Sequence, residues 1–409
     1  MKSISDEFSI ALDDSLISDF RDTVNELDFV YNYYHNIEGK NLFNPICSCM
    51  DWINVSVRYI RNFPELSGDL DVKAMQVYSL ISAIDIIAES VRQLHKAITN
   101  DPRLKNWPFK GSNYVFKNKV EHLSHDDDDK YFKQIRATFG AHPTNLSPNP
   151  HERMFASWPY DFASAGSDFT VSLYSNIPDK PDVYFGIKIA ELLEFAKERY
   201  EHLKVLSEVI LNTRRDYFLE LSKKTIPATS NVYDELQVLM VEAGGRQDKN
   251  YYRMLIGELI SLFDACIKEP HLQQEAEHFK TKLLPIIHEI RCHLQTMNLD
   301  ELKTTKDVLV SRVCNQQIDY VLGKMFTWLH SGKHDPLARL YFDQLNKYSE
   351  GRYNFNASDD DDTTLLKLRM MLFHFHALAE AIEISESERL QDYNLLIDGA
   401  KGQMKESNK

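Results

Sequence analysis

Glycine and proline are both scarce in this chain, 14 of each in 409 residues, which argues against a fold of many short strands and tight turns and toward helix. Cysteine is scarcer still. The five thiols (Cys47, Cys49, Cys266, Cys292 and Cys314) are odd in number, and no pair has the spacing of a zinc knuckle or a CxxC redox motif. All five are read as reduced thiols of a cytoplasmic protein. Positive charge is also lacking: 47 Lys and Arg stand against 61 Asp and Glu, a net charge of -14, so any nucleic-acid contact must come from a local basic patch. No run of 18 apolar residues occurs and the N-terminus is acidic, so neither a membrane span nor a secretory signal is expected. The phosphate-cradling GxxxxGK[ST] and GxGxxG patterns and the GxSxG nucleophile pattern are missing. "HEIRCH" (His288–His293) resembles a zincin motif, but its histidines are five residues apart and lie about 140° apart around a helix, so it reads as ordinary helix. No cofactor and no metal site is expected.

What is present is helical periodicity. "DDSLISDFRDTVNELDFVYNYYHNI" repeats apolar residues near the 3.6 spacing, from Leu16 through Phe20 and Val24 to Val30. A second helix opens at Pro45 and stops at Pro64, and a third runs from about Val72 to Ile98. "DFTVSLYSN" (Asp168–Asn176) and "DVYFGIKI" (Asp182–Ile189) alternate as a two-stranded hairpin, too small to stand without helices behind it. A long helix comes next, from about Ala190 to Lys224, then "KKTIPATSN" as a boundary, then helix after helix punctuated by Pro270, Pro285 and Pro336. The expected fold is therefore mainly α with one small hairpin. Its expected parts are an N-terminal helical extension (1–69), a helical domain with the hairpin near 168–189 (70–225), and a second all-helical domain (228–409). The acidic runs Asp126–Asp129 and Asp359–Asp362 read as solvated loop charge.

The stretch richest in chemistry is "KYFKQIRATFGAHPTNL" (Lys130–Leu146). On an unbroken helix Arg136 and His142 would stand about 120° apart, unable to meet on one phosphate. Gly140 can take the left-handed conformation that ends helices, and Pro143 pushes His142 out of the α region, so a break between the two is expected. A permanently charged guanidinium beside an imidazole suits phosphodiester cleavage: Arg stabilises the developing charge, and His moves protons. The plain alternative is a helix end with a solvated Arg and a His near the negative pole of the helix.

"RATFGAH" resembles the Rx4-6H signature of the HEPN superfamily, α-helical domains that include many metal-independent endoribonucleases. The order of a long helix with "SAIDIIAESVRQLHKAI", a loop with "FKGSNYVFKNK" and then "DDKYFKQIRATFGAHP" is similar to HEPN proteins of bacterial toxin and abortive-infection type, over roughly residues 70–224. The resemblance implies a HEPN-like helical bundle and catalytic roles for Arg136 and His142, with Asp85 or Glu89 as the upstream acidic residue. Ala137 stands where many active members carry a polar residue, and Thr138, directly after it, is a further catalytic candidate. The resemblance also implies a homodimer that brings two motifs together, a toxin or antiphage role, and an antitoxin, trigger or other regulatory protein as partner. Ser79, Ser82, Asp85, Glu89, Arg92 and Lys96 form one polar stripe, which is either a site wall or a solvent face. Between Arg103 and Lys119 stand five basic residues and no acid, interleaved with Trp107, Phe109, Tyr114 and Phe116. Arg103, Lys105, Trp107, Lys110, Tyr114, Lys117 and Lys119 are thus candidates to bind single-stranded RNA by phosphate attraction and stacking; the alternative is a loop whose aromatics anchor it to the core. A second formal match, Arg369 to His374 in "RMMLFHFH", sits in an unbroken apolar helix and reads as core. The competing function is a catalytically inactive HEPN-fold module that binds a protein or RNA partner; a third is a structural scaffold without nucleic-acid contact.

Overall fold

The computed structural model describes residues 12–120, 127–141, 143–144, 146–149, 152–157, 166–246, 251–306, 308–309, 316–332 and 335–378. The described residues are mostly helical, and the chain divides into two compact units, Met1–Tyr217 and Phe218–Lys409.

In the first unit the periodic N-terminal stretch forms two helices rather than one, α1 (Ser15–Asn25) and α2 (Phe29–Tyr34). The break is a short turn in which Leu27 and Asp28 take left-handed conformations, φ 57° and 50°. Helix α3 (Phe43–Arg61) lies against α4 (Leu70–Ile98), with the Tyr59 hydroxyl donating to Ser79 Oγ at 2.8 Å. The Asp69 carboxylate caps α4 by accepting from the amides of Asp71 and Val72. Helix α4 buries Val77, Leu80, Ile84, Ile87, Val91 and Leu94 and turns its polar stripe outward. By length and composition this one described helix is apolar enough to cross a bilayer, although 39% of its most apolar window is already covered by the protein.

The expected hairpin proves to be half of a four-stranded antiparallel sheet in sequential order: β1 (Leu146–Asn149), β2 (Glu152–Ala156), β3 (Phe169–Ser175) and β4 (Val183–Ile187). Strand β3 pairs with β4 (Val171 opposite Phe185) and with β2 (Phe155 opposite Tyr174). The two extra strands are hard to read in sequence because β1 carries Pro148, which only an edge strand tolerates, and β2 buries a charge. That charge, Glu152, accepts from Lys180 at 2.7 Å and from the Ser175 hydroxyl at 2.6 Å. Helix α6 (Ile189–Ser222) supplies the longest wall of the core, through Leu192, Leu193, Ala196, Tyr200, Leu203 and Ile210.

The second unit starts with the last turn of α6. It contains α7 (Val232–Gly245), α8 (Tyr251–Asp264), α9 (Pro270–Thr296), α10 (Gln316–Ser331) and α11 (Ala338–Tyr348), and residues 361–378 form a further helix. Its core joins Leu239, Ile256, Phe279, Ile290, Met325 and Leu366. Pro285, expected to punctuate, sits inside an uninterrupted α9. Arg369, expected in the core, is buried: it donates to Glu258 at 2.6 Å and lies over the Phe326 ring. In the run Asp359–Asp362, Asp360 and Asp361 are exposed as expected, but Asp359 accepts from Lys367, a lysine with no solvent exposure, at 2.9 Å.

Candidate active site

The site is built from two helices. Helix α5 (Asp128–Arg136) opens on Asp127, whose carboxylate caps it by accepting from the Lys130 amide at 2.7 Å. Its apolar face, Tyr131, Phe132 and Ile135, is buried, and the Phe132 ring stacks on Phe195 of α6 at 4.4 Å. That docking leaves Lys133 and Arg136 on the outer side. There Arg136 Nε meets Asp85 Oδ2 of α4 at 2.7 Å, so two of the residues singled out in the sequence form an ion pair at the rim of one cleft. Burial pushes the Asp85 carboxyl up and neighbouring Glu89 adds to this; the Arg136 guanidinium pulls it back, and the net direction is upward. One turn further along α4, Glu89 lies 3.5 Å from Arg92 Nε and accepts from the Gln93 amide. Asp85, Glu89, Arg92 and Lys133 thus line a shallow cleft with alternating charge, whose volume of about 30 Å³ has room for a water and not for a base. Anything larger must lie across the rim.

The backbone after Arg136 departs from the expected break. Ala137–Ala141 is a π-helical turn that continues α5, and Gly140 is not in the left-handed region. A Cβ at Gly140 would meet Ile81 Cγ2 of α4 at 3.7 Å, which is ordinary contact. The turn packs its far side on the sheet, with the Phe139 ring 5.0 Å from Phe185. A wide turn of this kind adds a residue to the helix and re-aims the chain beyond it, and such turns recur at functional sites. Thr138 is turned inward, 2% exposed, and its hydroxyl has no protein partner among the described residues. His142 lies outside the described residues.

The basic and aromatic loop divides. Arg103, Lys105, Lys110, Tyr114 and Lys117 are exposed. Trp107 is buried, and its indole N–H donates to Asp129 at 2.7 Å; Phe116 packs on Tyr131 and Phe195. Lys119 is turned in toward Asp128 at 3.1 Å. The loop is held by its aromatics and Lys119, and its other four cations stand outside.

The acidic run that precedes α5 is the anchor of this arrangement, not solvated charge. Asp126 lies outside the described residues. Asp128 has no exposure and accepts from the amides of Tyr114 and Val115 at 3.0 and 3.1 Å. Burial raises its carboxyl, but those amides and the Lys119 ammonium outweigh burial and hold it below the usual range. Asp129 accepts from Trp107 on one oxygen and from Arg199 on the other, at 2.9 Å. Arg199 itself is fully buried, with its guanidinium 4.4 Å from the Phe109 ring and 3.8 Å from Phe195. Beside it His95 Nδ1 and His202 Nε2 lie 3.1 Å apart, so one ring donates and the other accepts. Burial and the neighbouring His95 push His202 down to about 4. Arg199, His95 and His202 carry no sequence signal, since each is a single polar residue at an inward position of a long helix. The only hint was four Asp directly before an apolar helical stretch.

Elsewhere, "HEIRCH" is structural. His293 bonds the Tyr252 hydroxyl at 2.8 Å and Glu289 accepts from Thr304, and no group of three metal-ligating side chains converges among the described residues. Comparison with family models, with curated proteins and with solved structures gave no match.

Proposed function

We propose that this chain is a metal-independent endoribonuclease of HEPN type, acting as a toxin or antiphage effector. The observation that carries the reading is the Arg136–Asp85 pair at 2.7 Å on the rim of a charged cleft that Trp107 of the 103–119 loop also lines. In this mechanism the 2′-hydroxyl of the RNA attacks the adjacent phosphate. The bond to the 5′-oxygen breaks and a cyclic phosphate remains. Arg136 stabilises the charge that builds on the phosphorane oxygens. His142 moves the protons, taking one from the attacking hydroxyl or returning one to the leaving oxygen; a second copy from a homodimer would supply the complementary step. Asp85 is a positioning residue that aims the guanidinium. Arg103, Lys105, Lys110 and Lys117 would draw in the phosphates flanking the scissile bond, and Tyr114 offers an exposed ring for stacking.

The test is RNA cleavage by the purified protein in EDTA. Wild type should cut, and Arg136→Ala and His142→Ala should each fall by about 100-fold or more. Cleavage that persists in both variants, or that needs a divalent ion, would overturn the reading.

A second reading is an inactive HEPN-fold module that binds a protein or RNA partner. It is favoured by Ala137 directly after Arg136 and by a cleft volume of about 30 Å³. On that reading expression is harmless to cells, and partner capture survives His142→Ala.

A further inference from the structure

The second unit holds a larger cavity than the cleft of the first. It lies between one face of α9 and one face of the 361–378 helix and has a volume of about 250 Å³, just below the roughly 300–1,000 Å³ of most small-molecule sites. Its lining keeps helical spacing on both sides. Glu275, His278 and Phe279 come from α9, and Met370, Phe373, His374 and Ala377 come from the facing helix. Arg352 closes the set from the loop after α11.

The chemistry of this lining is divided. Phe279 and Met370 are each 1% exposed and, with the half-buried Phe373, make an apolar floor; the two phenyl rings lie 5.6 Å apart and tilted by 58°. The rim is cationic or hydrogen-bonding. Arg352 is held by two neighbours: its Nη2 donates to Glu275 Oε2 at 2.8 Å and its guanidinium lies 5.8 Å from the centre of the Tyr353 ring, while the Tyr353 hydroxyl donates to Glu275 Oε1 at 2.7 Å. Both Glu275 oxygens are thereby engaged, and Arg352, 46% exposed, has more N–H groups than these contacts take up. His278 and His374 also line the cavity, the first exposed and the second half-buried. Two imidazoles and a clamped guanidinium thus stand around the mouth of an apolar floor. The same set would hold a flat ring below and an anionic group above.

We propose that this cavity binds a small aromatic anion, a single ring bearing a phosphate or carboxylate. The ring rests on Phe279, Phe373 and Met370, and the anionic group accepts from Arg352, His278 and His374. The volume suits a single ring with one anionic group, a metabolite-sized molecule. The inference does not rest on the nuclease reading, because it uses residues of the second unit alone.

Phenyl phosphate and benzoate are the direct probes, with phenol as the ring alone and inorganic phosphate as the anion alone. Titrated calorimetrically into the full chain, at least one of the two aromatic anions should bind at millimolar concentration or tighter. Each fragment should bind at least about tenfold more weakly, as expected when one charge-assisted contact set is lost. Arg352→Gln should weaken binding about tenfold. Ala377→Trp, at an exposed position on the rim, should abolish it by filling the mouth without touching the core. His278→Gln, also at an exposed position, should weaken binding as well and keeps the test sharp should Arg352→Gln disturb the fold. Binding of phenol as strong as that of either anion, binding untouched by Ala377→Trp, or no binding by either aromatic anion would overturn the proposal.

Discussion

Buried titratable residues separate this protein's residue-scale behaviour from that of an ordinary helical chain. His95 and His202 share one hydrogen bond at 3.1 Å in a buried setting that includes the Trp107 and Phe109 rings. The pair can be neutral and complementary, but two imidazolium rings would both be donors and would repel. Linkage sets the sign. The folded value of His202 lies near 4, below the ordinary 6.5, so between those values the unfolded chain binds the extra proton. Stability is full above 6.5 and is lost as pH falls toward 4, by about 3 kcal/mol if the whole shift is expressed. His202→Phe should flatten this part of the profile. Thermal unfolding of both proteins across that range checks it; parallel curves would show that the pair is not the titrating element.

Among the elements, the decisive feature is the turn after α5. Had Gly140 capped the helix in a left-handed conformation, alanine there would be strained. In the π turn the backbone is right-handed and a Cβ would find Ile81 at 3.7 Å, an ordinary distance. Gly140→Ala is therefore expected to change stability by no more than about 1 kcal/mol, with the gain in helix propensity on its side. A loss well beyond that, seen in chemical denaturation, would mean that the turn needs glycine. The loop at 101–120 is a second element whose order comes from outside itself. Trp107, Val115 and Phe116 are buried, and the backbone amides of Tyr114 and Val115 are held by a carboxylate on α5. Its surface cations are thus presented on a fixed frame and not on a floppy strand.

Across the whole molecule, each unit has its own buried ionic centre: Asp129–Arg199 in the first, and Lys367 with Glu269 and Asp359 in the second. Removing one member of such a set leaves charge buried without compensation, whereas the intact set contributes little net stability. Lys367→Met is therefore expected to destabilise the second unit by about 3–5 kcal/mol. Replacing Lys367, Glu269 and Asp359 together with apolar residues should recover much of that loss. Amide exchange in α9 and the 361–378 helix is the measurement, and equal protection in wild type and Lys367→Met would refute the expectation.

The helical class, the approximate limits of α3, α4 and α6 and the polar stripe on α4 are legible in the chain as written, because they depend on periodicity and caps within a few residues of each other. Asp85 and Arg136 also come forward there as partners in one site, through a resemblance and not through spacing. Folding was needed to show that the two side chains meet, that Asp127–Asp129 form a buried anchor, that Trp107 belongs to the core, and that the hairpin has two more strands. Each of these depends on partners far away in the chain, 70 residues in the case of Arg199 and Asp129. A run of aspartates looks solvated until a buried arginine and a set of backbone amides are brought against it. Burial turns the same charges from surface decoration into structure, and burial is a property of the folded neighbourhood that no local pattern encodes.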